Sequence, residues 1–259
     1  MLISRAFQCK VGAIGLLLAT LPIAGCSTRV QNTGNYVPAA QGAAAALPRP
    51  QRVLVADFSA DPNSVGLEQA IANRVQRAMN GADPAAEQYR IAADVQQAIT
   101  ETLIEDLRKM GLQAQRETPG AVPGGNDLVV QGQITRINEG NRTRRLAIGF
   151  GAGKSDVQAN AQVYYLRPSA PPQLLQTYDA DANSGRKPGL ALGAAGAASG
   201  GSEIPLVASG LMGIHGETQR TGVAKEGERL ASRLAYNLAE FFVQQGWIPP
   251  SAVPARSLR

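Results

Sequence analysis

Thiols and imidazoles are almost missing from this sequence. Its 259 residues include two cysteines, Cys9 and Cys26, and one histidine, His215. That count leaves no room for a disulfide framework, and it excludes zinc sites built on histidine pairs or cysteine clusters. A Ser-His-Asp triad would depend wholly on His215. This residue sits in Gly210-Leu-Met-Gly-Ile-His-Gly216, which reads as a loop carrying a surface histidine. Aromatic residues are only 5% of the chain, thin for stacking nucleic-acid bases, and the basic residues form no stripe. Nucleic acid is therefore not an expected partner. No cofactor, metal or catalytic constellation is expected either.

The first 26 residues explain much of the apparent basicity. Arg5 and Lys10 stand in an acid-free start, followed by an uncharged run over 11–24 that is too short to span a bilayer as a stable helix. Leu21-Pro-Ile-Ala-Gly-Cys26 then matches the lipobox that closes a bacterial lipoprotein signal. Small residues let the backbone thread a peptidase site between Gly25 and Cys26, and the Cys26 sulfur carries the lipid. Removing 1–25 takes away Cys9, Arg5 and Lys10, leaving 23 basic and 20 acidic residues in place of the whole-chain pI of 9.5. Lipidated Cys26 would be the sole cysteine of the mature chain. The expected partner through this lipid is the membrane. Ser27, where a retained protein would carry Asp, points to the outer membrane facing the periplasm.

Residues 26–51, polar and then rich in Ala and Pro, read as a lipidated flexible tether. An α+β domain is expected over 52–248, with a tail at 249–259. Arg52-Val-Leu-Val-Ala-Asp-Phe58 suits a buried strand. A short helix is expected over 67–79 and a long amphipathic one from 85 or 89 to 110. There Ile91, Val95, Ile99, Leu103, Leu107 and Met110 recur every three or four residues. Strands are expected at 127–138, 156–166 and 173–182; in the second, Val157, Ala159, Ala161, Val163 and Tyr165 alternate with polar residues. Their short connections predict an antiparallel meander. Val223, Leu230, Leu234, Leu238 and Phe241 mark a second long helix. Met110-Gly-Leu112 and Gln245-Gly-Trp247 both read as helix ends with a left-handed glycine and an apolar residue folding back. The order predicts a mostly antiparallel sheet of about four to five strands with two long amphipathic helices on one face.

Gly149-Phe-Gly-Ala-Gly-Lys-Ser155 imitates a phosphate-binding loop but has one residue too few before Gly-Lys-Ser. It also leads into an alternating strand where such a loop needs a helix N-terminus. No nucleotide is expected. Arg142, Arg144, Arg145 and Lys154 around these glycines make a candidate anion or partner loop; a solvated loop, or arginines paired with acids inside an oligomer, accounts for the same residues more readily. Pro188 to Gly216 contains one acid, Glu203, and no Lys or Arg. Gly189, Gly193, Gly196 and Gly200 would give one helical face of bare backbone, a candidate self-association or membrane-contact face. An apolar loop packed on the domain accounts for the same residues. Asp179 and Asp181 share one strand face, the only hint of the paired carboxylates of a wall or polysaccharide hydrolase, and a solvated acidic edge explains them equally well.

The Val-Leu-Val-Ala-Asp-Phe58 opening, Gly132-Gln-Ile-Thr-Arg-Ile137, Ile148-Gly-Phe-Gly-Ala-Gly-Lys-Ser155 and the closing helix with Gly246-Trp247 resemble one family. It is the bacterial lipoproteins carrying the domain of unknown function DUF4410. The order of elements also looks like the periplasmic domains of curli-secretion and Pel-polysaccharide lipoproteins, a likeness of architecture only. The resemblance implies an envelope lipoprotein and transfers no catalytic residue. Three functions stand as expectations. They are a non-enzymatic envelope protein that binds other envelope components or copies of itself, a component of a secretion or export assembly, and a hydrolase.

Overall fold

Chain order and helix length together set the sheet topology. The computed structural model describes residues 27–36, 47–68, 74–75, 78–118, 125–141, 144, 152–185 and 222–254. Its strands are β1 (Ser27–Asn35), β2 (Arg52–Val55), β3 (Ser59–Ala60), β4 (Val65–Gly66), β5 (Ala114–Arg116), β6 (Asp127–Asn138), β7 (Asp156–Leu166) and β8 (Gln173–Asn183). Its long helices are α1 (Pro84–Lys109) and α2 (Gly222–Gln244). Among the described residues the eight strands form one sheet in the order β1-β8-β7-β6-β2-β5, with β3 and β4 also paired to β6.

The 26 residues of α1 span about 40 Å at roughly 1.5 Å each. The helix therefore returns the chain to the end where β2 began, and β5 enters beside β2 in the same direction. β2 is parallel to β5 and to β6, the latter from Arg52↔Asp127 to Val55↔Val130, and β3 and β4 are parallel to β6 as well. β6, β7 and β8 form the expected antiparallel meander. The expected mostly antiparallel sheet of four to five strands is thus corrected to a mixed sheet of eight. A long crossover helix makes the first pairings parallel, and β3, β4 and β5 are too short for an alternation to show.

The tether also needs correcting. Ser27–Asn35 is an edge strand, antiparallel to β8 from Ser27↔Asn183 to Asn35↔Gln176 with one irregularity at Asn32/Gly34. Val30 is its sole fully buried side chain, so no hydrophobic run announces it. The end of the same stretch is fixed too: Tyr165 Oη donates to the Pro48 carbonyl at 2.9 Å and Trp247 Nε1 to the Leu47 carbonyl at 2.8 Å. The expected tail at 249–259 begins with a 3-10 turn at Pro250–Ala252, and Ala252 and Val253 pack on the core. Most of the expected 67–79 helix lies outside the described residues.

Both helices cover one face of the sheet. α1 starts on Asp83, whose side chain accepts from the Ala85 amide, with Pro84 in the first turn and Arg108 and Lys109 in the last. It buries Ile91, Val95, Ile99, Leu103 and Leu107 against Val53, Val55, Val130, Val163 and Tyr165 from the sheet within one hydrophobic core. α2 adds Leu230, Leu234, Leu238 and Phe242. The helices approach closely at Gly227, where a Cβ would stand 3.3 Å from side-chain carbons of Val95 and Ile99.

The two helix ends match the sequence reading. Gly111 and Gly246 have φ of 80° and 71°. Leu112 N donates to Leu107 O and Trp247 N to Phe242 O, while each glycine amide bonds the carbonyl three residues back, which is the Schellman pattern. Trp247 then stacks on Tyr165 with centroids 6.0 Å apart and meets Phe241 edge-on at 5.6 Å. A Cβ at Gly246 would touch nothing within 4 Å, so a substitution there acts through φ alone. Gly246→Val is expected to cost about 1–2 kcal/mol from positive φ, and Trp247→Ala about 3–5 kcal/mol from lost burial. Urea unfolding followed by circular dichroism checks both; melting like the parent would remove this cap from the account.

Tyr178 faces the helices at 2% exposure, and burial pushes its phenol up to about 12. An unfolded tyrosine titrates near 10. Between those values the folded chain keeps a proton that the unfolded chain releases. The contribution is therefore complete below about pH 10 and is lost as pH rises through about 12, an effect of about 2–3 kcal/mol. Unfolding free energy should fall over that interval, and less steeply in Tyr178→Phe. Tyr165, also raised by burial, supplies part of the remaining slope.

Candidate functional site

The antiparallel register gathers several chain ends at one end of the sheet. Ser27 opens β1 opposite Asn183, which closes β8; Asp156 opens β7 opposite Asn183 and Asn138. β4 reaches the same end by pairing with Ile137 and Asn138. The arginine and glycine loop between β6 and β7 therefore leaves from here, and the connection 186–221 departs just after β8.

Two glycines close the neck of the β6–β7 loop. Asn141 N donates to Gly153 O at 2.9 Å. Gly140 and Gly153 have φ of 72° and 71°, and a Cβ on either would stand 2.4 Å from backbone oxygen of the facing arm. Only glycine meets both conditions. Arg144 and Lys154 are exposed beyond this neck, and the Arg144 amide donates to Asn141 Oδ1 at 2.9 Å. Arg142 and Arg145, which the sequence groups with them, lie outside the described residues. So do Gly25, Cys26, His215 and the glycines Gly189, Gly193, Gly196 and Gly200.

Ser155 has a different task from its neighbour Lys154. It is 2% exposed, and its hydroxyl donates to Glu226 Oε1 of α2 at 2.9 Å. Glu226 is itself buried and ion-paired with Arg229. Ser155 O accepts from the Ser184 amide and Ser155 N donates to Ser184 Oγ, each at 3.0 Å. The Gly-Lys-Ser segment thus ties the start of α2, the start of β7 and the end of β8 together. A buried carboxylate left short of a partner costs more than an ordinary hydrogen bond contributes. Beside this knot, Asp156 accepts from Asn138 Nδ2 at 3.2 Å and pairs with Arg136 at 3.4 Å.

The second candidate surface is the sheet face that the helices do not cover. Arg29, Gln31, Gln158, Asn160, Asp179 and Asp181 line a shallow groove of about 420 Å³ on it. Register sets Arg29 and Gln158 on either side of Asp181, and Gln31 and Asn160 on either side of Asp179. Strand geometry repeats these groups roughly every 6.6–7 Å along a strand and about 4.8 Å across strands. The result is a fixed lattice of donors and acceptors suited to an extended polar ligand. Asp179 and Asp181 lie side by side on one strand, the first exposed and the second half-buried. The alternation of β7 announces Gln158 and Asn160; Arg29 and Gln31 were not legible as groove residues, because β1 reads as tether. Among the described residues no three His, Cys, Asp or Glu side chains are grouped to hold a metal ion, and no helix is long and apolar enough to cross a membrane.

The family described as a domain of unknown function (DUF4410) matches residues 53–201. The chain belongs to this family. No curated protein matches it. Among solved structures, two PelC dodecamers from Paraburkholderia phytofirmans, the second a point variant, are similar to it at 14% identity and a TM-score of 0.32. Each match covers 65% of this chain, and 89% and 90% of the PelC chains respectively. In DUF4410 terms, the Gly-Lys-Ser segment of this member is a structural clasp.

Ser155→Ala should therefore destabilise the fold by about 1–3 kcal/mol, since it strips a donor from buried Glu226. Lys154→Ala, on an exposed side chain, should stay within about 0.5 kcal/mol of the parent. Paired urea titrations decide the matter; the reverse order of effects would overturn the clasp.

Proposed function

We propose that this DUF4410 chain is a lipid-anchored, non-enzymatic protein of the bacterial envelope. On this reading it faces the periplasm from the outer membrane and binds another envelope component through the open polar face of its sheet. The observation that carries it is the place of Ser27. The residue after the lipobox cysteine is the first residue of β1 and is paired with Asn183. Anchor and domain therefore join without a linker, and a domain so held acts at the membrane surface.

The polar lattice on the uncovered face supports binding over catalysis. Its carboxylates, Asp179 and Asp181, share one strand face at the groove floor. A glycosidase instead needs an acid and a base on opposite sides of the bond being cut. Two carboxylates aligned along a strand, neighboured by Arg29 and by the amides of Gln158 and Asn160, present hydrogen-bonding groups to one side of a ligand only.

Cys26→Ser tests the anchor. The variant should persist as a precursor of unchanged length and take up no radiolabelled palmitate. Normal labelling would defeat the lipoprotein reading and the localisation with it.

A further inference from the structure

Large apolar side chains exposed on the described surface are few: Tyr36, Val75, Met79 and Tyr89. Three of the four belong to one region. Val75 and Met79, 51% and 82% exposed, lie in the connection from β4 to α1, and Tyr89, 66% exposed, lies in the second turn of α1. β4 is paired to the last residues of β6, and Gln88 Nε2 donates to the Val65 carbonyl of β4 at 2.9 Å. The connection thus leaves and re-enters the fold at the Ser27 end of the sheet. This end also presents Arg74, Arg144 and Lys154, all exposed and none of them ion-paired within the described residues.

The acids nearby are otherwise engaged. Asp83 caps α1, Asp156 pairs with Arg136, Asp61 caps the 3-10 turn before β4, and Glu139 accepts from the Glu68 amide. Their charge is directed at backbone amides and guanidiniums of the domain itself. Beside these carboxylates, two of which (Asp61 and Asp83) are exposed, the end presents cationic and apolar side chains together, the combination that suits the boundary between anionic headgroups and acyl chains.

We propose that this end of the domain docks on the surface of an anionic phospholipid bilayer, with Val75, Met79 and Tyr89 entering the interface and Arg74, Arg144 and Lys154 meeting headgroup phosphates. The inference rests on the lipid anchor at Cys26 and adds an orientation to it. Consecutive Cα atoms are about 3.8 Å apart, so a lipid on Cys26 is rooted one residue from the paired end of β1. A flexible tether of ten residues would instead let the domain wander by roughly 17 Å. With β1 fixed into the sheet, the end that carries the apolar and basic side chains is the end held at the bilayer. The lipid supplies attachment, and the surface supplies a single resting pose.

The mature protein offers a clean test, because its one cysteine is blocked by lipid and an introduced cysteine is the only free thiol. Met79→Cys and, at the opposite end beyond α2, exposed Ser251→Cys are each labelled with an environment-sensitive fluorophore. The lipidated proteins are reconstituted into phosphatidylethanolamine and phosphatidylglycerol vesicles containing nitroxide-labelled lipid. Quenching at 79 should exceed that at 251 by at least about threefold. Arg74→Glu, Arg144→Glu and Lys154→Glu together should bring the two sites level while the protein still floats with the vesicles. Equal quenching at both sites in the parent, or no response to charge reversal, overturns the docking end. Intact mass, taken first, separates the two ideas: Cys26 without a diacylglyceryl group refutes the anchor itself, whereas a lipidated protein left unquenched at 79 refutes only the pose.

Discussion

Strand β6 carries the molecule because, among the described residues, it is the only strand that both halves of the fold need. On one side it accepts β2, β3 and β4 in parallel; on the other it runs antiparallel to β7 over nearly its whole length. Its first residue, Asp127, is fully buried and takes two hydrogen bonds from Arg52, at 3.1 and 2.6 Å, which lock the register of the parallel side. The bond and the charge of Asp127 in turn raise the Arg52 guanidinium above its ordinary value. In the middle, Gly132 leaves space for the Phe58 ring, with which a Cβ would collide at 2.3 Å. At its far end Asn138 joins β4, β7 and the loop neck at Gly140. A slip of one residue along β6 would turn every inward side chain of β7 outward and would pull Ser155 away from Glu226.

How much of the fold was legible in the sequence depends on how much apolar surface each element buries. α1, α2, β6, β7 and β8 each bury a stripe or alternate face long enough to leave a period, and all five were legible. The glycine caps were legible for a different reason: positive φ followed by an apolar residue is a local requirement that no distant contact overrides. β1 buries one valine and is held by backbone pairing to β8, a contribution common to every sequence, so polar composition concealed it. β3, β4 and β5 have two or three residues each. The parallel sense of β2 was hidden for a third reason, since direction is set by the length of α1 and by no residue in the strand itself.

The Gly-Lys-Ser segment shows how one short motif divides into unrelated physical tasks. Gly153 is required by positive φ and by a backbone contact that leaves no room for a Cβ. Ser155 is required by a buried carboxylate on α2. Lys154, between them, is exposed and satisfies neither demand. The likeness to a phosphate loop arises because tight turns and buried hydroxyls use the same small residues wherever a chain reverses into a regular element. The element next in the chain decides the chemistry of such a motif, and here that element is a strand.

If Cys26 carries the proposed anchor, the position of β1 also couples the groove to it. Arg29 and Gln31 line the groove beside Asp179 and Asp181, and Arg29 is the third residue after Cys26. At about 3.3 Å per strand residue, three residues span roughly 10 Å, so a lipid on Cys26, as proposed above, would lie near the start of the groove. With that anchor, a ligand on this face would lie close to the membrane, and its reach along the sheet is set by β7 and β8. The strand that closes the groove would thus be the strand nearest the proposed lipid. Detaching β1 would remove one wall of the groove and, on the proposed anchor, lengthen the tether in a single event, because the same backbone bonds to β8 would maintain both. On the proposed anchor, a complete groove and a short tether would depend on the same pairing, which would link what the surface can bind to where the protein is kept.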